Sequence, residues 1–302
     1  MKPSKTILIL SALIALLAAV SAGAGVFGQG QGSPVPFTTL RGDTAMVQGH
    51  GLYRYDSVSG AAQAESVDTV TLVLGIPLLL FSIWLAGRGS RRGRLLLSGT
   101  LGYFMYTYTS VAFMQAYNPL FLLYVALFSL SLFTFVLSLM SFDVQALPAY
   151  FSEKVARIPV AGFLFLIGAF LAWNWIGNVI LPSLVSGAVP DRLDSYTTLV
   201  IQAMDLGLIV PAAFLAGVLW LRRSAFGYLL VPVLLVKGLT MSAALCAMIV
   251  GMIRAGVAVS AAEVIMFPTL GLINLAVLGL VLKDVRENTT AQRSSAVPVN
   301  IV

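Results

Sequence analysis

The stretch from Ile76 to Ser110, IPLLLFSIWLAGRGSRRGRLLLSGTLGYFMYTYTS, constrains the fold more than any other. Two apolar runs flank a turn that carries Arg88, Arg91, Arg92 and Arg94. Each run approaches the length needed to cross a hydrocarbon core of about 30 Å. An arginine at the bilayer centre costs roughly 2.5–3.5 kcal/mol on insertion scales, so the turn belongs in water. The bias of Lys and Arg toward the inner side places it in the cytoplasm. The stretch therefore reads as a helical hairpin with a cytoplasmic tip, and the other crossings follow by alternation.

Composition agrees. The chain is 59% apolar and 10% charged, whereas a soluble domain carries about 25% charged residues. The net charge of +6 comes from Lys and Arg at helix ends, which is a membrane-orientation signal and not a nucleic-acid one. Cys246 is the only cysteine, so an intramolecular disulfide is excluded. His50 is the only histidine, which argues against bis-histidine haem and histidine-rich metal sites. Neither a cofactor nor a metal is expected.

The expected fold is an all-α integral membrane protein. Residues 1–28 carry Lys2 and Lys5, then TILILSALIALLAAV, then small residues. They read either as a first transmembrane helix or as a cleaved signal peptide. Residues 29–68 form a polar external loop, with a flexible connection and a binding lid as its two readings. Residues 69–283 form the transmembrane bundle. Its expected crossings are Thr69–Ala86, Leu95–Ala116, Leu120–Ser141, Val160–Leu181, Thr197–Leu221, Phe226–Met252 and Ala261–Leu282. Basic residues mark every inner position: the Arg88–Arg94 turn, Lys154 with Arg157, Arg222 with Arg223, and Lys283 with Arg286. The count is eight helices, or seven if the first is cleaved. Residues 284–302 are expected to be a disordered cytoplasmic tail. The whole sits in the cytoplasmic membrane, with the bilayer as its first partner and oligomeric state open.

A gapless overlay pairs Pro77 with Pro211, Arg88 with Arg222, Ser90 with Ser224 and Gly93 with Gly227. Both hairpins run in the same sense. The overlay therefore points to a parallel duplication of a four-helix unit, against chance similarity between two basic-tipped hairpins.

Asp205 and Lys237 are the two charges well inside helices. At about 1.5 Å per residue, Asp205 lies about 10 Å below the outer surface and Lys237 about 16 Å above the inner one. In a core of about 30 Å a lysine side chain bridges that difference. Other polar residues lie at similar depth. Asn174 and Asn178 share a face at i,i+4, Gln202 lies one turn before Asp205, and Asn274 lies near the middle of the last helix. Glu263 opens that helix, and Tyr103 belongs to a polar stripe with Thr100, Thr107 and Ser110. Each alone is explained by an interhelical hydrogen bond, worth about 0.6 kcal/mol on average. Together they point to a polar cavity open to the outside.

The chain has no GxxxxGK[ST] loop, no HExxH, no CxxC and no GxSxG, so nucleophilic or metal catalysis has no visible machinery. The segments GLYRYDSV, RRGRLLLSGTLGYFMYTY and AYNPLFLLYVALFSLSLF resemble those of uncharacterised prokaryotic multi-pass membrane proteins. That resemblance implies an all-helical integral protein and no particular activity. Three functions remain. One is binding or translocation of a small solute or lipid near Asp205 and Lys237. Another is a non-catalytic sensor or assembly factor using the external loop. The third is an enzyme acting on a lipid-linked substrate, with Asp205 or Glu263 as acid-base. A transporter needs one continuous polar path. A sensor needs buried pairs and an ordered loop. An enzyme needs carboxylates at headgroup level.

Overall fold

The computed structural model describes residues 3–28, 30–190 and 192–287. Among the described residues the regular structure is helical apart from one two-stranded ribbon. Its long helices are α1 (Lys5–Phe27), α2 (Val58–Gly87), α3 (Arg91–Met114), α4 (Phe121–Met140), α5 (Arg157–Ser186), α6 (Val200–Leu221), α7 (Ala225–Arg254) and α8 (Ala261–Lys283). Strands β1 (Val35–Thr38) and β2 (Thr44–Val47) pair antiparallel between α1 and α2. Seven of these helices are long and apolar enough to cross a membrane, which suits a multi-pass membrane protein. The exception is α3, as long as the rest but more polar. It is the most enclosed helix, with Leu101, Tyr103 and Phe104 fully buried. A helix wrapped by other helices needs no lipid-compatible surface, so it can carry tyrosines and threonines.

Lipid offers no hydrophobic drive to bring helices together, so close packing holds such a bundle. At the crossing of α3 and α7, a Cβ on Gly99 would lie 3.0 Å from the Val233 carbonyl and closer still to the Val236 side chain. Glycine is what lets these two central helices touch. One core cluster gathers Ile14, Leu79, Leu101 and Phe104 from α1, α2 and α3. The other gathers Val160, Trp220, Leu229 and Val281 from α5 to α8.

Three helices contain wide π-helical turns: Thr71–Gly75 in α2, Trp173–Ile180 in α5 and Asp205–Ile209 in α6. Each is followed within two residues by a proline: Pro77, Pro182 or Pro211. Proline lacks an N–H and its ring presses on the carbonyl four residues back. That carbonyl falls inside the wide turn in all three cases, which gives the bulges a local cause.

The two basic hairpin turns agree in detail at the offset that pairs Arg88 with Arg222. Ser90 N–H donates to the Leu85 carbonyl at 3.2 Å, and Ser224 N–H to the Leu219 carbonyl at 3.0 Å. Gly89 has φ 88° and its counterpart Arg223 has φ 56°. At Gly93 and Gly227 the preceding helix runs so close that a Cβ would lie 2.7 Å from the backbone nitrogen of Ala86 and of Trp220. The π turns Thr71–Gly75 and Asp205–Ile209 fall at the same offset.

The polar segment before α2 is folded. The β1–β2 turn sends Arg41 to the carbonyls of Asp194 and Tyr196, both at 3.0 Å. Asp56 is 1% exposed. Its Oδ1 accepts from the Ala116 amide at 2.9 Å and the Tyr196 hydroxyl at 3.0 Å. Ser57 caps α2 through the Gly60 amide, and its hydroxyl donates to Asp194 at 3.0 Å. The segments 30–57 and 192–199 thus make one cap over this end of the bundle. Helix α2 begins at Val58, ahead of the expected start, because this cap fixes its N-terminus. Asp191 lies outside the described residues.

At the opposite, basic end, the expected disordered tail is ordered as far as Glu287. Its carboxylate accepts from the Ser90 hydroxyl at 2.8 Å and the amides of Arg91 and Arg92 at 2.9 and 3.1 Å. Ser152 N–H donates to the Asp284 carbonyl at 2.9 Å, and Arg286 N–H to the Tyr150 carbonyl at 2.7 Å. Free amides at the start of α3 are a ready anion site, and Glu287 fills it. Residues 288–302 lie outside the described residues.

Candidate functional site

Asp205 opens the π turn of α6 and is buried. Its Oδ1 accepts the Tyr106 hydroxyl of α3 at 2.6 Å, and its Oδ2 accepts the Trp175 indole N–H of α5 at 2.9 Å. Lys237 of α7 is also buried. It does not reach Asp205: no direct salt bridge joins them. Its Nζ lies 3.7 Å from the centroid of the Tyr106 ring. One tyrosine therefore serves both charges, its face turned to the ammonium and its hydroxyl to the carboxylate. A cation over a ring is worth about 0.5–2 kcal/mol, more when desolvated.

Among the described residues Lys237 makes no hydrogen bond and no direct salt bridge; it rests on the Tyr106 ring, and the Asp205 charge acts on it from beyond that ring. An ammonium carries three donors, so these are unused. Asn274 of α8 packs against the next residue, where a Cβ on Gly238 would lie 2.7 Å from Asn274 Nδ2. The Asn274 Oδ1 is buried with no hydrogen-bond partner. Gln202 is buried one turn ahead of Asp205.

The remaining candidates lie elsewhere. Tyr103 turns to α2 and shares a hydrogen bond with Thr71 at 3.0 Å. Asn174 is half-buried and Asn178 exposed, both on the π turn of α5. That same turn carries Trp175 inward to Asp205. Glu263 belongs to the surface. It completes a capping box with Ser260 at the start of α8 and pairs with Arg192 at 2.8 Å. The Ser260-x-x-Glu263 spacing before an apolar run is itself a legible capping signal. Tyr106 is the residue that sequence reasoning missed. It stands one position off the Tyr103–Thr107 stripe and points to the other half of the bundle.

A second buried carboxylate, Asp68 of α2, accepts the Tyr53 hydroxyl from the cap. Both residues are buried. No group of three or more His, Cys, Asp or Glu gathers among the described residues. Beside Asp205, between α3 and α6, an open groove of about 420 Å³ is lined by Thr109, Phe113, Ala203, Met204, Gly207 and Leu208, among others. It is mostly apolar, unlike the polar cavity expected here: Asp205 is turned away to Tyr106 and Trp175, and none of the sequence-predicted polar residues lines it. No protein-family model matches the chain, and neither does any curated protein or solved structure.

Proposed function

We propose that the chain is an integral protein of the cytoplasmic membrane that binds a small solute or lipid at Lys237, with Tyr106 and Asp205 setting the site. One observation carries this reading: a buried ammonium that uses none of its three donors on the protein. An unpaired charge in a bilayer is expensive, and such residues mark ligand and ion sites. Asp205 already has both oxygens occupied, so the free capacity of the site is for an acceptor, a carboxylate or phosphate oxygen. Purified protein tests this. Acetate, inorganic phosphate, palmitate and phosphatidylglycerol are compared as thermal stabilisers of wild type and Lys237→Met. A ligand that binds the folded state raises its stability. Stabilisation by one or more probes in wild type, lost in Lys237→Met, is the expected result; equal responses would reject it.

In this reading all eight helices cross, as two parallel four-helix units, with the basic turns and both chain ends on the cytoplasmic side. The agreement of turns, bulges and close-packed glycines at one offset supports the duplication. The basic residues at every inner position support the orientation. Tyr117 is 75% exposed at the cap end, whereas Asn118 is buried. Tyr117→Cys should therefore be labelled from outside intact cells and Arg222→Cys should not; the reverse pattern would invert the assignment.

A sensor or assembly role has its own support. The cap is ordered, and Tyr53 links it to Asp68 inside the bundle. The enzyme reading loses its headgroup-level carboxylate, since Glu263 is committed to Arg192 and Ser260.

A further inference from the structure

The α3–α6 groove runs beside Asp205, on the α6 side of the site that holds Lys237. Met204 precedes Asp205 in the chain, and Gly207 belongs to the same π turn. Thr109 lies one turn along α3 from Tyr106. Within one turn, α6 passes from the groove wall to the buried carboxylate. A Cβ on Gly207 would meet nothing within 4 Å, so the groove floor is open. In a chain that spans a bilayer, this surface faces acyl chains. The matching flank of the other half is closed, because Gly251 of α7 lies against Ser66 and Ala62 of α2.

We infer that the site takes a long-chain carboxylic acid, its chain in the α3–α6 groove and its carboxylate on Lys237. This rests on the reading of Lys237 as a ligand anchor and names the ligand class. Lys237 supplies one positive charge and Asp205 stands across the Tyr106 ring, an arrangement that disfavours a dianion such as free phosphate. The flank offers one groove, which suits the single chain of a fatty acid and not the two chains of a phosphodiester lipid. The apolar wall of Phe113, Met204 and Leu208 selects a hydrocarbon chain. The opening sideways gives entry from the lipid without a water-filled path.

The test uses the full-length protein in phosphatidylcholine nanodiscs, with radiolabelled palmitate as probe and acetate and hexadecanol as competitors. Gly207→Phe fills the groove, and Ala203→Leu narrows it if the first variant does not fold. Lys237→Met removes the anchor. Gly162→Phe, at another position with open space on α5, is the control. Palmitate should bind saturably and should weaken about tenfold or more, near 1.4 kcal/mol, in the groove and anchor variants. Gly162→Phe should bind as wild type, and neither acetate nor hexadecanol should compete at matched concentration. Non-saturable palmitate uptake, or binding unchanged in the groove variants, overturns the inference. Lys237-dependent binding of acetate without palmitate removes the chain and leaves the anchor. If no probe depends on Lys237, both fail.

Discussion

Lys237 meets Tyr106 and not Asp205: its Nζ lies 3.7 Å from the ring centroid, and the ring's own hydroxyl reaches the carboxylate at 2.6 Å. Breaking a buried direct pair costs 3–5 kcal/mol because a charge is left alone. Here each charge already has its own arrangement. Asp205 has two donors, and Lys237 has a ring and three spare protons.

Tyr106 separates the two contributions. Tyr106→Phe keeps the ring under Lys237 and deletes one hydrogen bond to a buried carboxylate. Bonds to charged groups contribute about 1.5–3 kcal/mol, and a loss in that range is expected in unfolding of the purified protein. Tyr106→Leu should lose more, since the ring goes too. Equal losses would mean that the ring contributes nothing.

The cap should respond to pH through Asp56. Burial pushes its carboxyl up from 3.8 to about 6, against the opposing pull of the Ala116 amide and the Tyr196 hydroxyl. A raised carboxyl favours the protonated folded state. Its contribution is full below pH 4 and fades as pH rises through 6. Amide exchange in the segment 44–57 should therefore slow between pH 7 and pH 5, after correction for intrinsic rates. Asp56→Asn should abolish that slope while keeping the bonds from Ala116 and Tyr196.

Glu287 caps α3 from the far end of the chain. Glu287→Ala leaves the amides of Arg91 and Arg92 without their acceptor, and loss of an N-terminal cap costs about 0.5–2 kcal/mol. The change should also raise protease access to the 284–287 strap. Unaltered access would show that the backbone bonds of Ser152 and Arg286 hold the strap without it.

The paired turns make a matched prediction. Gly93→Ala and Gly227→Ala each place a methyl 2.7 Å from a backbone nitrogen and should both lower the melting temperature. Gly279→Ala, in open space, should not. A tolerant Gly227 beside an intolerant Gly93 would count against duplication.

Helix positions, basic turns and the burial of Asp205 and Lys237 were legible because apolar run length and charge position are local signals. Tyr106 was not, because its partners come from two other helices, α6 and α7, and its phase relative to the stripe differs by one residue. On α5, Trp175 donates to Asp205 while Asn178 is exposed, a phase that depends on the π turn ahead of Pro182 and that no periodic pattern in the sequence marks. Glu263 carried a legible capping signal that its depth obscured. The Glu287 strap was hidden in polar composition, since docking to Ser90 and Tyr150 is a long-range event.

The most direct measurement is the stability of Lys237→Met, alone and with Asp205→Asn. If Lys237 is kept for a ligand, the single variant in ligand-free detergent should be at least as stable as wild type. An ammonium without hydrogen bonds is then replaced by a side chain of similar size. The double variant should gain nothing further. A loss of about 3–5 kcal/mol in Lys237→Met, recovered on adding Asp205→Asn, is the behaviour of a structural ion pair and would contradict the account.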